Sequence, residues 1–373
     1  MSSEARPSPT RPARFYSIQI LRGLAAVLVV LHHLVQQTYL PYPMHGWHRW
    51  LDNGAFGVDI FFPISGFVMF LTASKLMAKA RKPGDWHIFA WRRIVRVVPL
   101  YWFFTVCRII LVLLLPATLF RFPLGFWQAA ASFFFIPTLN RLGQPEPVVA
   151  VGWTLIYEML FYAIVTAAIA FGKPLLRWCG AIIGVLSILG MFVPHTTGVA
   201  FLADPIELEF LAGIILCAGF ARGWRPPVWL AIVILPAALL FALAAPASPY
   251  VLEFHRARAL VWGVPGALIL WASVALEQHI DLSRWRPLLL LGDASFSLYL
   301  MHTFILPVVH ARLGIGARLT GARELAFFAL SLGVSIAAAI AFHVWVELPV
   351  TRWLLDTRAP WSMRSADSAN SAR

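Results

Sequence analysis

YSIQILRGLAAVLVVLHH, residues 16–33, sets the architecture of this chain. The stretch is a long apolar run broken by Arg22 and by His32 and His33. A helix turns about 100° and rises about 1.5 Å per residue. Arg22 and His33, eleven positions apart, therefore lie on one face, roughly 16 Å apart along the axis. His32 points about 100° away from His33. Ionisable groups inside a membrane helix are costly and usually face a bundle interior or a cavity. Two readings stand at this point. Arg22 is an anchor at the charged membrane surface, with the histidines as an interfacial polar edge. Alternatively, the pair belongs to a site in which His33 is a general base, imidazole being the side chain that titrates near neutrality.

Outward from this run the same pattern repeats. The chain has 373 residues, 60% hydrophobic and 13% charged. A soluble domain is nearer half apolar and a quarter charged, and it could not hide so many apolar blocks. The predicted spans are 16–38, 56–73, 97–116, 151–171, 174–193, 204–220, 228–246, 259–277, 288–309 and 324–347. The expected fold is all-α, a polytopic integral membrane bundle of about ten transmembrane helices. Residues 1–14 and 351–373 read as polar cytoplasmic tails around a membrane domain spanning 15–350. Residues 122–139 are apolar but carry Pro123 and Pro137, which suits a non-spanning or re-entrant piece.

The formal charge of +13 does not point to nucleic acid, because no recognition motif accompanies it. The basic residues collect at helix ends, as expected beside an anionic cytoplasmic leaflet. Arg6, Arg11, Arg14 and Arg22 precede or open the first span, and Lys75, Lys79, Arg81, Lys82, Arg92, Arg93 and Arg96 fill the next basic connection. Both regions, and both chain ends, are expected on the cytoplasmic side. Arg312, Arg318 and Arg323 form an outer exception. Cys107, Cys179 and Cys217 all lie in apolar segments and suggest neither a disulfide framework nor a zinc site.

Further polar points interrupt the apolar runs. In NGAFGVDIFFPISGFVM (53–69), Asp59 can orient a histidine or pair with an arginine, while Ser65 and Gly66 permit close backbone approach. In FAWRRIVRVVPLYW (89–102), Arg93 and Arg96 share a helix face, and arginine forks match phosphate geometry. Arg108 lies deeper and demands a partner or polar cavity. GWTLIYEMLFY (152–162) sets Glu158 among the belt aromatics Trp153 and Tyr162, where it can orient the base or bind a hydroxyl-rich substrate. Glu207 and Glu209, two apart, do not share a face, so one is expected at a site and the other at headgroups. In LGDASFSLYLMHTF (291–304), Ser295, Tyr299 and His302 recur at helical spacing, and His302 is an alternative base or substrate hydrogen-bonding group. Glu347, just before Pro349, reads as a helix-boundary residue. There is no serine-hydrolase elbow, no HExxH and no phosphate loop, so no catalytic metal is expected.

Taken in order, LRGLA…VLHH, GVDIFFPISGF, WRRIVRVVPLYW, WTLIYEMLFY and GDASFSLYLMH resemble the acyltransferase-3 family of membrane O-acyltransferases, most closely its exopolysaccharide-acetylating branch. The resemblance covers Tyr16 to about Pro349. Phe296 and Pro63 depart from the family's usual residues, and His32 extends its first motif so that two histidines compete. The resemblance implies transfer of an acyl group, usually acetyl, from acyl-CoA to a hydroxyl of an exported or lipid-linked glycan. The setting it implies is the bacterial cytoplasmic membrane, with polysaccharide biosynthesis or export proteins as partners. Its motifs fall on Arg22 and His33, on Arg93 and Arg96, and on Glu158; joined with the reading of the residues, catalysis is expected on His33, Glu158 and Asp59, and coenzyme phosphates on Arg22, Arg93 and Arg96. His32, Arg108, Trp153, Glu209, Ser295, Tyr299 and His302 are the expected supporting residues. Read from the residues alone, a transporter or flippase for a lipid-linked sugar, or a structural partner in polysaccharide export, remains open.

Overall fold

The computed structural model describes residues 15–39, 46–78, 85–114, 125–139, 146–193, 198–245, 257–313 and 321–357. Of the expected tails 1–14 and 351–373, residues 1–14 and 358–373 lie outside them, as do Lys79, Arg81, Lys82 and Arg318, while 351–357 belong to the last described helix. All regular elements among the described residues are helical. In chain order they are α1 (Tyr16–Tyr39), α2 (Trp47–Asp52), α3 (Gly57–Ala78), α4 (Asp85–Leu114), α5 (Phe126–Phe133) and α6 (Trp153–Ala170). There follow α7 (Leu175–Gly190), α8 (Gly198–Leu202), α9 (Leu208–Ala221), α10 (Val228–Ala244) and α11 (Val264–Leu276). The last are α12 (Arg286–Asp293), α13 (Ser295–Arg312), α14 (Ala322–Phe342) and α15 (Leu348–Thr357).

The expected count of ten spans does not hold. Six helical stretches among the described residues are long and apolar enough to cross a membrane, or seven if α12 and α13, bent by 69°, form one span. Pro174, Asp204–Pro205 and Pro227 stop the chain from running on into longer helices, since proline cannot donate to the helix ladder. The helices they leave, α7, α9 and α10, have 16, 14 and 17 residues. At about 1.5 Å per residue they reach roughly 21–26 Å, short of a hydrocarbon core of about 30 Å. The described part of the 122–139 stretch, 125–139, forms only the eight-residue α5, too short to cross.

Helix α3 is the hub, packed against α1, α6, α9 and α11. Lipid tails are as apolar as leucine, so helices here associate by close packing and not by escape from water. The α3–α9 crossing depends on glycine. A Cβ on Gly66 would lie 2.0 Å from the Phe210 carbonyl oxygen, and one on Gly213 would lie 2.0 Å from the Pro63 carbonyl oxygen. Around that crossing Phe62, Phe210 and Phe161 stack at 4.4 and 4.5 Å between ring centres. Two π-helical turns, Ala259–Gly263 and His343–Glu347, each end two residues before a proline. Proline has no N–H, so the hydrogen-bond register slips there.

Candidate functional site

Helix α1 carries two polar levels, as its periodicity requires. At the lower level Arg22 donates from Nη2 to Ser295 Oγ at 3.0 Å, across to the first turn of α13. The contact helps line a cavity of about 130 Å³ shared by α1, α3, α4, α6 and α13. Its polar walls are Arg22, Arg96, Ser65, Glu158, Thr154, Ser295 and Tyr299, set among Phe61, Phe62, Phe296 and Met69. Glu158 accepts hydrogen bonds from Ser65 Oγ at 3.3 Å and from the Tyr162 hydroxyl. Neither Arg22 nor Arg96 is ion-paired with a carboxylate among the described residues. Arg93 lies near Glu158 and Arg96, with its guanidinium 5.4 Å from the Phe89 ring centre. Its buried Nε has no hydrogen-bond partner among the described residues. Tyr299 closes the wall by bonding Thr154 Oγ1 at 2.8 Å and donating to the Val151 carbonyl at 2.9 Å.

At the upper level three histidines gather. His33 lies 4.8 Å from His32 and 4.9 Å from His302, ring centre to ring centre. Ser295, Tyr299 and His302 therefore share the face of α13 that follows α1 from Arg22 to His33. The two adjacent histidines differ in what holds them. His32 is buried, its Nδ1 2.5 Å from the Asp52 carbonyl oxygen, with Gln36 Nε2 donating to its Nε2 at 2.9 Å. Both of its nitrogens are used. His33 is half-buried and, among the described residues, only its Nδ1 is engaged, 2.9 Å from the Val29 carbonyl oxygen. A carbonyl only accepts, so Nδ1 carries the proton and Nε2 keeps a lone pair. That is the tautomer a general base needs.

A third group is enclosed. Asp59, fully buried, accepts from Arg258 Nε at 2.9 Å and from Nη2 at 2.8 Å. The Arg258 guanidinium also lies 5.4 and 5.1 Å from the Trp153 and Trp262 ring centres. Glu209 sits beside Asp59 and Arg258, packed so closely on the π-helical turn before α11 that a Cβ on Gly263 would fall 2.7 Å from its Cγ.

Cationic side chains facing a cavity at one level and a base-competent histidine at the next, on one helix, fit group transfer better than a structural bundle. Comparison with known proteins decides the matter. A family model described as an acyltransferase domain matches residues 15–344. The chain belongs to this acyltransferase family. Among curated relatives, the exopolysaccharide production protein ExoZ of Rhizobium meliloti (strain 1021) is 32% identical over 309 residues, covering 80% of this chain and 90% of the relative. The acyltransferase MdmB of Streptomyces mycarofaciens is 27% identical over 390 residues, covering 94% and 95% respectively. No solved structure matches significantly.

In this acyltransferase the expected site residues separate into groups. Arg22, Arg96, Glu158, Ser295 and Tyr299 meet around the cavity, with Arg93 beside them. His33, His32 and His302 form the second level. Of the two roles open to Asp59, the structure has it pair with an arginine and not with a histidine. Trp153 packs on that same arginine. Arg108 stands apart, its guanidinium 5.8 Å from the Phe304 ring centre. The division expected between Glu207 and Glu209 fails, because both are buried, at 0% and 2% exposed, and neither reaches headgroups. Glu347 is more than a boundary residue, accepting from Ser297 Oγ at 2.6 Å and from His343 Nδ1 at 2.8 Å. The residue passed over in the sequence is Arg258. Its one signal is a charge at the edge of an apolar run, where surface anchoring is the bland explanation.

Proposed function

We propose that this acyltransferase moves an acyl group, acetyl in the simplest case, from acyl-CoA to a hydroxyl of an exported or cell-surface polysaccharide or its lipid-linked precursor. The observation that carries the reading is the two-level face of α1, with Arg22 in the arginine-walled cavity and His33 eleven residues further along. Guanidinium groups without carboxylate partners suit the phosphates of a coenzyme donor. The apolar wall of Phe61, Phe62 and Phe296 suits the acyl end and excludes water, which would otherwise hydrolyse the thioester. His33 Nε2 takes the hydroxyl proton as the oxygen attacks the thioester carbon and the thiolate leaves. Glu158, held by Ser65 and Tyr162, faces the same cavity. The printed description of one relative as an exopolysaccharide production protein supports a polysaccharide acceptor.

The membrane orientation belongs to the same proposal. Arg22 and Arg96 line one cavity, so the starts of α1 and α4 share one end of the bundle. That end is the cytoplasmic one, in a bacterial cytoplasmic membrane, with both termini on that side. Donor then enters from the cytoplasm and acceptor reaches the histidine level from the other direction.

The test is O-acetyl analysis of surface polysaccharide from the wild type, a deletion strain and a His33→Ala strain. Both mutants should lose O-acetyl groups while the polysaccharide backbone is still exported. Loss of export with acetylation of retained material unchanged would replace the transferase with a transporter.

A further inference from the structure

At the end of α1 away from the arginine cavity, helices meet in an aromatic junction. Glu324, buried in the first turn of α14, accepts hydrogen bonds from the Tyr39 hydroxyl and from His48 Nε2, the latter at 2.5 Å. The Trp47 ring lies 4.1 Å from that of His48 and 5.6 Å from that of Phe328, centre to centre. Phe328 lies 6.0 Å from Phe327, and Phe327 lies 6.3 Å from His310. These contacts tie the end of α1, the short α2, the end of α13 and the start of α14 into one surface. The surface adjoins the histidine level, because Asp52, the last residue of α2, holds His32 through its carbonyl oxygen.

Two kinds of side chain stand out from this junction. Trp47 and Trp50, three apart and so neighbours on α2, are 41% and 52% exposed. Arg49 lies between them, Arg323 precedes Glu324, and Arg312 follows His310 by two residues. All three arginines are exposed, and none has a carboxylate partner among the described residues. The carboxylates of the junction are already engaged, Glu324 by Tyr39 and His48, and Asp52 by Gln36 and His32. An aromatic belt would account for the tryptophans alone, because arginine is disfavoured in short connections on the outer side of a membrane. Unneutralised positive charge where the acceptor arrives is matched by negative charge on the acceptor. Resting on the polysaccharide-acceptor reading and on the orientation proposed with it, we propose that this surface is an acceptor subsite for an acidic polysaccharide. The indoles carry sugar rings, and the arginines hold a carboxylate of the repeat unit. Trp47 is five residues, about 8 Å, from Asp52 along α2, so the unit held there is a neighbour of the sugar that reaches His33.

The experiment uses the full chain in lipid nanodiscs, with acetyl-CoA and the host's own surface polysaccharide stripped of O-acyl groups by mild alkali. A second sample of the polysaccharide has its carboxylates chemically reduced to alcohols. The wild type should show a KM about 10-fold higher for the reduced polymer, with kcat little changed. The triple change Arg49→Gln, Arg312→Gln and Arg323→Gln should raise KM for the acidic polymer by a similar factor and abolish the preference. Trp50→Ala should raise KM for both polymers alike, since a sugar ring stacks whatever its charge. Unchanged acetyl-CoA affinity certifies that each variant is assembled, and the wild-type comparison needs no variant at all. Equal KM for the two polymers in the wild type would overturn the proposal while leaving the polysaccharide-acceptor reading in place. So would a host polysaccharide without alkali-stable carboxylates that the enzyme still acetylates. Wild-type KM in the triple variant would assign the arginines to lipid headgroups and overturn it too. A wild type that binds acetyl-CoA and acetylates neither polymer would instead remove the acceptor reading on which the proposal stands.

Discussion

Arg22 and Arg96 line a cavity in which Glu158 is held back by Ser65 and Tyr162, whereas Arg258 is enclosed, with both oxygens of Asp59 taken up by its guanidinium. Both regions bury arginine within the same bundle, and both include a carboxylate. The difference lies in whether the charge has been neutralised by the protein itself. The bidentate pair, at 5% and 0% side-chain exposure, neutralises its own charge inside the protein. It joins the start of α3 to the π-helical turn before α11, with Trp153 and Trp262 covering the guanidinium. The cavity arginines have positive charge left over, and a site with charge left over suits an anion. Sequence composition treats the two regions alike, as charges in apolar runs, so their separate purposes show only in their partners.

Three substitutions break or sharpen this contrast. The largest effect is expected at Arg258→Ala, which strands the Asp59 carboxylate in the core. Removing one partner of a buried pair costs about 3–5 kcal/mol, so thermal unfolding in detergent should show a sharply lower midpoint or little folded protein. The double change Arg258→Met with Asp59→Leu should restore part of it, because the Asp59 carboxylate is removed together with its partner. A single variant as stable as wild type would make the pair incidental. The next effect is expected at Arg96→Ala. Donor affinity, measured as coenzyme A binding to purified protein, should fall on the order of 10- to 100-fold, with the unfolding midpoint unchanged. Lost stability with intact affinity would place the cavity arginine in the structural class with Arg258. The smallest effect is expected at Thr154→Val, which removes the hydroxyl facing Tyr299 at the cavity wall. It should cost about 1 kcal/mol of stability and leave coenzyme A binding near wild type, since Tyr299 keeps its bond to the Val151 carbonyl.

Much of the site was legible along single helices. The eleven-residue spacing of Arg22 and His33 placed them on one face because helical periodicity is local. The Ser295, Tyr299 and His302 spacing worked for the same reason, and the structure adds that this face follows α1. The difference in surroundings between His32 and His33 was not legible, because it turns on Asp52 and Gln36 meeting His32. Glu347 looked like a terminus because Pro349 follows it. The π-helical turn instead carries the helix on through the proline and leaves the carboxylate between Ser297 and His343. The span count was overestimated because hydropathy measures how apolar a run is, not where proline and the Asp293–Ser295 bend end its helix.

From the amino-acid order alone came the lipid-embedded helical bundle, the polar face of each helix and the family resemblance, all properties of short stretches read with the helical period. Only the packed structure decided that Asp59 belongs to Arg258, 199 positions away, that His302 stands beside His33, and that Arg22 and Arg96 share a cavity. Such pairings depend on how helices cross, which is governed by close contacts like Gly66 and Gly213 between α3 and α9. Helix packing in a membrane depends on the shape of facing surfaces, and no one-dimensional period carries that information.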